Sequence, residues 1–182
     1  NIIERKFIKQ SKSTELATES VMLIKKYKAQ VFIADSIGND VTDIVVQLLG
    51  ENRTVKVVKF KSSEKAKDPT YFNRRDEVYH SASVQMKSGN VQMDDDYTLM
   101  KQLNATKYLK DNGRIYISPK EEIKKLIGCS PDRADAWVLA VEALKWTTSV
   151  AEVRNAEKYR KIILRDEVQS GEEYGSWGDV LE

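Results

Sequence analysis

Residues that cross-link or ligate are scarce in this sequence. A single cysteine, Cys129, rules out an internal disulfide framework and fits a reducing compartment. With one histidine, His80, beside it, ligands are too few for a structural zinc site, where about four are expected. None of the eight glycines is followed by lysine, so a phosphate loop of the GxxxxGK(S/T) type is absent, and a Walker ATPase with it. No apolar run approaches the roughly 18 residues that a membrane span requires. The first residues, NIIERKFIKQ, are basic but lack the apolar centre of a signal peptide. Any metal chemistry must therefore rest on carboxylates.

What is present suits one domain, or one domain with a tail: 182 residues and 20.8 kDa, 41% hydrophobic and 32% charged. The net charge of +2 conceals an uneven distribution. Arg53, Lys56, Lys59, Lys61, Lys65 and Lys67 crowd one stretch against Glu64, and Arg74 and Arg75 follow. From Asp166 to Glu182 there are six acids and no Lys or Arg. A basic middle of this kind is either a solvated lysine-rich surface or a surface for a polyanion such as nucleic acid.

Hydrophobic patterning predicts an α/β order. Ile2–Ile8 reads as a strand and Ser13 as the N-cap of a helix over 14–28, with Leu16, Ser20, Leu23, Ile24 and Tyr27 near one face. VFIAD (31–35) has the continuous apolar character of a buried parallel strand, a helix over 40–49 stops at Gly50, and VKVVKF (55–60) is a further strand. Helices follow over 71–87 and 95–104. Asn112-Gly113 marks a tight hairpin turn. A short helix over 120–127 ends at Gly128. Ser130-Pro131 then opens the last core helix as N-cap and first-turn proline, running to about Lys145. Residues 150–165 suit one more charged helix, followed by an acidic tail.

The carboxylates carry the chemistry. Asp35 closes its strand before Ser36-Ile37-Gly38, at the strand end where sites assemble in open α/β sheets. A turn-forming aspartate is the plainer alternative. Asp132 and Asp135 lie three apart near a helix start and share one face. Asp132 is explained equally by the helix dipole. Asp135, among Ala134, Ala136, Val138 and Leu139, needs a compensating cation. A divalent metal shared with Asp35 would supply one, and two metals about 3.5–4 Å apart would clamp an in-line phosphoryl displacement.

The order ADSIG, VKVVKF, YFNRRDE, NGRIYISPKEEIKK and SPDRADAWVLA resembles the nuclease domain of the large terminase subunit of tailed bacteriophages, from Ile2 to about Leu144. That resemblance implies an α/β, ribonuclease H-like mixed sheet flanked by helices with an added β-hairpin. It implies a Mg²⁺- or Mn²⁺-dependent endonuclease with a two-metal site that cuts concatemeric viral DNA in the bacterial host cytoplasm. Asp35, Asp132 and Asp135 match its metal-binding and catalytic acids. The implied partners are double-stranded DNA, an ATPase domain of the same polypeptide, the small terminase subunit and the portal, with no membrane. Lys59, Lys61, Lys65, Lys67, Arg74 and Arg75 are the expected DNA contacts. The family's first-strand aspartate has no counterpart, since Glu4, Glu15 and Glu19 are the acids before Val31. The chain is accordingly expected to start inside the fold, with a nuclease domain over 1–146 and a charged extension over 147–182. A non-catalytic DNA-guiding or docking module, and a resolvase-like nuclease acting on branched DNA, are the alternatives. His80 is expected at the surface or partly packed, Cys129 buried, and Trp137 and Trp146 in packing roles.

Overall fold

The computed structural model describes residues 4–8, 12–35, 41–51, 54–93 and 95–147. They fall into two compact units, Ile2–Ser62 and Ser63–Glu182. No helix among the described residues is long and apolar enough to cross a membrane. The helix expected over 150–165 and the acidic tail lie outside the described residues.

In the first unit, helices α1 (Ser13–Tyr27) and α2 (Val41–Leu49) accompany strands β1 (Val31–Asp35) and β2 (Lys56–Phe60). The strands pair in parallel, from Val31 opposite Lys56 to Asp35 opposite Phe60. A parallel pair needs a crossover, and α2 supplies it. Ala17, Val21 and Ile24 on one face of α1 meet Val45 and Val55 in the core. Two expectations fail here. Residues 4–8 form no strand: Phe7 and Ile8 are both exposed. Their neighbours instead tie the segment to α1, Lys6 to Glu19 at 2.5 Å and Glu4 to Lys26 at 2.6 Å. Nor is Ser13 the N-cap. Helix α1 begins on it, and Glu15 accepts the Lys12 backbone N–H at 3.3 Å.

The second unit is built around α3 (Arg74–Lys87), with α4 (Tyr97–Asn104), the antiparallel strands β3 (Tyr108–Asp111) and β4 (Arg114–Ile117), α5 (Lys120–Ile127) and α6 (Asp132–Ala143). The hairpin turns as its sequence predicts. Asn112 and Gly113 both have positive φ, 47° and 80°, the combination a type I′ turn demands. Helix α3 starts at Arg74 rather than Tyr71, because Asn73 and Asp76 form a reciprocal capping box that fixes its first turn. Helix α6 passes into a 3₁₀ turn, Leu144–Trp146. Ser130 does not cap it. Gln102 of α4 does, its Oε1 accepting the N–H groups of Arg133 and Ala134 at 2.9 and 3.0 Å.

Asp76 fastens α3 to the hairpin, its Oδ1 accepting the Ile117 N–H at 3.1 Å. Burial pushes its carboxyl above the ordinary 3.8, while the hydrogen bonds from Ile117 and Asn73 pull the other way. With the folded pKa above the unfolded one, the native state holds the proton more tightly. This residue's contribution to stability is therefore full below the unfolded value and declines as pH rises through the folded one. The stability of wild type relative to Asp76→Asn should accordingly grow as pH falls from neutrality toward 3.8, measured by urea unfolding at each pH. A gap that narrows on acidification would contradict this account.

Candidate active site

Asp135 is the centre of a charged cluster in the second unit. It sits in the first turn of α6, where the helix dipole favours an acid, and its side chain is 17% exposed. Tyr79 Oη of α3 donates to its Oδ1 at 2.6 Å, and Arg75 Nε approaches the same oxygen to 3.5 Å. Lys120 Nζ, at the start of α5, lies 2.6 Å from Oδ2. Arg75 is held in turn: its guanidinium lies 5.0 Å from the centroid of the Tyr79 ring, and Nη1 donates to Ser118 O at 3.3 Å. Burial first, and the Asp135 charge second, push the Tyr79 hydroxyl well above its usual range. The phenol thus stays protonated and remains a donor. The cation that Asp135 requires comes from the protein's own Lys120 and Arg75.

The other predicted acids are placed differently. Asp132 is exposed one turn earlier on α6, its Oδ1 accepting from Ser130 Oγ at 2.6 Å. Asp35 belongs to the first unit, half-buried as the last residue of β1, and its Oδ1 accepts the Ser62 N–H at 3.4 Å. Among the described residues no three His, Cys, Asp or Glu side chains form a group able to hold a metal ion. The donor chemistry of Asp132 and Asp135 nevertheless fits a hard divalent cation. Mg²⁺ is commonly held by one or two carboxylates, with water and substrate phosphate completing its shell. Such an ion at Asp135 would compete with Lys120 for Oδ2.

The basic residues sort by burial. Lys61, Lys65 and Lys67 are exposed, and Lys59 is exposed with its Nζ 2.6 Å from Asp43. Arg74 is 8% exposed and faces inward, bonded to Glu77 and, at 3.2 Å, to Glu142. Arg75 serves Asp135 and Ser118. The expected phosphate role of Arg74 therefore gives way to a structural one, and Arg75 belongs to the Asp135 cluster. His80 is fully interior at 2% exposure, its Nδ1 2.9 Å from Tyr71 Oη, whereas Cys129 is exposed, each opposite to expectation. Trp137 is buried, as a packing role requires. Tyr79 and Lys120, which brace Asp135, and Gln102, which caps α6, are residues that the sequence does not single out. The i, i+4 relation of Arg75 to Tyr79 is the one available signal for the first of them.

No protein-family model and no curated protein sequence matches the chain. Solved structures do. The nuclease domain of the large terminase subunit gp2 of bacterial virus Sf6 is 18% identical, with a TM-score of 0.55 over 69% of this chain and 70% of that one. A lysine-to-alanine variant of the same domain with manganese is likewise 18% identical, with a TM-score of 0.54 over 72% and 74% of the two chains. One with calcium is 17% identical, with a TM-score of 0.53 over 71% and 72%. This likeness establishes the fold, that of the terminase nuclease domain, an α/β architecture of the ribonuclease H-like class.

Arg74→Ala should unfold the second unit rather than weaken a DNA contact, because it leaves Glu77 and Glu142 buried without their guanidinium. Removing one partner of a buried ion pair costs about 3–5 kcal/mol. Chemical denaturation measures the loss. A variant as stable as wild type but weaker on DNA would return Arg74 to the phosphate-binding surface.

Proposed function

We propose that the chain is the nuclease domain of a viral DNA-packaging terminase, an endonuclease dependent on Mg²⁺ or Mn²⁺ that cuts concatemeric double-stranded DNA in the bacterial host cytoplasm. In this reading residues 1–146 form the catalytic domain and 147–182 a charged extension. The partners are an ATPase domain of the same polypeptide, the small terminase subunit and the portal. One observation carries the reading: within a fold shared with a terminase nuclease domain, a part-buried carboxylate, Asp135, is braced by a phenol and two cations.

Asp135 and Asp132 of the second unit are the residues that would hold the metal. A bound divalent ion supplies Lewis-acid activation of the phosphodiester and of the attacking water. The chain's own groups do the positioning. Tyr79 and Arg75 hold Asp135 in one orientation. Lys120, its side chain 37% exposed, is free to turn from Oδ2 toward a phosphate oxygen once the carboxylate charge is neutralised otherwise. Lys61, Lys65 and Lys67 meet the duplex backbone, where lysines position DNA without reading its sequence. A second reading, a non-catalytic DNA-guiding module, draws support from the same cluster, since Tyr79, Arg75 and Lys120 already match both Asp135 oxygens.

Cleavage of supercoiled plasmid separates the two. Wild type should nick and linearise it with Mn²⁺ or Mg²⁺ and not in EDTA. Asp135→Ala should lose cleavage while duplex affinity changes by less than about twofold, since a ligand rather than a phosphate contact is removed. Undiminished cleavage by the variant would exclude Asp135 from the site. A wild type that binds duplex but never cuts it would favour the guiding module. Separately, Lys61, Lys65 and Lys67 changed together to Glu should weaken duplex binding about equally for unrelated sequences. The salt slope should flatten by about 0.9 for each phosphate that is no longer neutralised. Unchanged binding at every salt concentration would leave the loop a solvated surface.

A further inference from the structure

The hairpin is extended on one side by the loop before α3. Ile115 N–H donates to Thr70 O at 2.7 Å, Phe72 N–H donates to Ile115 O at 3.3 Å, and Tyr71 bridges Ile115 in parallel. Side chains alternate across a pleated strand, so this small sheet has two faces. One sends Tyr71, Tyr108, Ile115 and Ile117 into the core. The other carries Phe72, Leu109, Tyr116 and Arg114, with Leu109 opposite Tyr116 and Asp111 opposite Arg114. Lys107, in phase with Leu109 just ahead of β3, is exposed.

That outer face is aromatic and cationic together. Phe72 is 38% exposed, and its ring stands edge-on to Tyr116 with centroids 5.5 Å apart. The Arg114 guanidinium lies 5.5 Å from the Phe72 centroid. Phe72 lies outside the buried core, and with Tyr116 and Leu109 it makes a contiguous, partly exposed patch of the kind that marks interaction sites. Charge selects its kind. Arg114 and Lys107 lie toward the two ends of the aromatic row, and the acid on this face, Asp111, stands opposite Arg114 at the turn.

We propose that this face binds single-stranded nucleic acid, with unpaired bases stacked on Phe72 and Tyr116 and the phosphate backbone running past Arg114 and Lys107. Every base has a π-face, so such a platform tolerates any sequence. It discriminates against duplex, whose bases are already stacked on one another. Strand β4 also leads from the platform to Ser118, whose carbonyl accepts from Arg75 beside Asp135, so a strand held here lies next to that cluster. The platform needs no metal, and its binding does not depend on the nuclease reading.

The test uses the full chain in EDTA, which silences any metal site, with fluorescence anisotropy of a labelled oligothymidylate of about 12 nucleotides, within the span of such sites. Wild type should bind it, and Phe72→Ala should leave binding of a duplex of equal length unchanged. Phe72→Ala should weaken binding about tenfold or more, and Phe72→Tyr, which keeps the ring, should stay close to wild type. Arg114→Gln should lower the salt slope by about 0.7, one phosphate contact on a single strand. Should Phe72→Ala fail to fold, the fully outward Arg114→Gln decides alone. The proposal is overturned if wild type does not bind the oligothymidylate, if Phe72→Ala binds it as wild type does, or if Phe72→Tyr loses as much as Phe72→Ala. Sedimentation that shows a dimer lost in Phe72→Ala, with oligonucleotide affinity unchanged, would overturn it in favour of a second copy of the chain.

Discussion

Burial of a polar helix is the constraint on which the second unit depends. Helix α3 reads RRDEVYHSASVQMK and has no single apolar face, yet Arg74 and the whole run from Asp76 to Val84 are buried. Each buried polar group left without a partner would cost roughly 1–3 kcal/mol, more where it is charged. The neighbouring elements are therefore arranged as partners. Asp76 takes the Ile117 N–H from β4, Glu77 takes the Lys67 N–H at 3.0 Å from the loop, and the Tyr79 carbonyl accepts from Tyr108 Oη of β3 at 3.1 Å. His80 meets Tyr71 and stands edge-on to Tyr108. An apolar helix could have slid along its neighbours. This one is pinned by these specific pairings, and they give the Asp135 cluster its rigidity.

Helix α6 shows what separates a structural acid from a usable one. Small and apolar residues, Ala134 and Val138 among them, pack it against the core, and two acids seven residues apart reach α3 at either end of that contact. Both are solved by the same device, an arginine from the start of α3 and a lysine from nearby. Glu142 sits near the helix C-terminus, where the dipole opposes an acid, and it is closed off with Arg74 and Lys145. Asp135 sits where the dipole favours it, and one of its cations, Lys120, reaches it from the solvent side. A closed pair cannot exchange partners without exposing a bare charge. The half-open one can, and chemistry needs that freedom.

How much of this the sequence disclosed follows from the range of the forces involved. Local signals were legible. The Asn112-Gly113 turn, the parallel strands 31–35 and 55–60 and the acids three apart on one helix depend on neighbours a few residues away, and the structure has them. The strand expected at Ile2–Ile8 failed because alternation alone cannot supply a pairing partner, and residues 4–8 instead lie along α1 through ion pairs. Helix α6 is not capped by the adjacent Ser130, because the acceptor oxygen comes from Gln102 on another helix, beyond the reach of local pattern. Tyr79 and Lys120 are hidden for the same reason, as their meaning lies in Asp135, distant in sequence. Burial of His80 and exposure of Cys129 were likewise decided by tertiary packing, against the usual preference of each residue.

The basic middle of the chain carries the last lesson, because the count of positive charges overstated the surface available to a polyanion. The two arginines of YFNRRDE point inward and the lysines outward. The division follows from their chemistry: a guanidinium is planar, weakly hydrated and able to serve several acceptors at once, whereas an ammonium is strongly hydrated and rides a flexible stem. Arg74 thus spans Glu77 and Glu142, and Arg75 spans a carbonyl, a ring and a carboxylate, in places where a lysine would leave acceptors unmet. Lys61, Lys65 and Lys67 are exposed, where their charge is screened by salt. Arg114, an arginine that the fold turns outward, stands beside an aromatic ring, where a planar guanidinium can lie near the π-face while its N–H donors stay available.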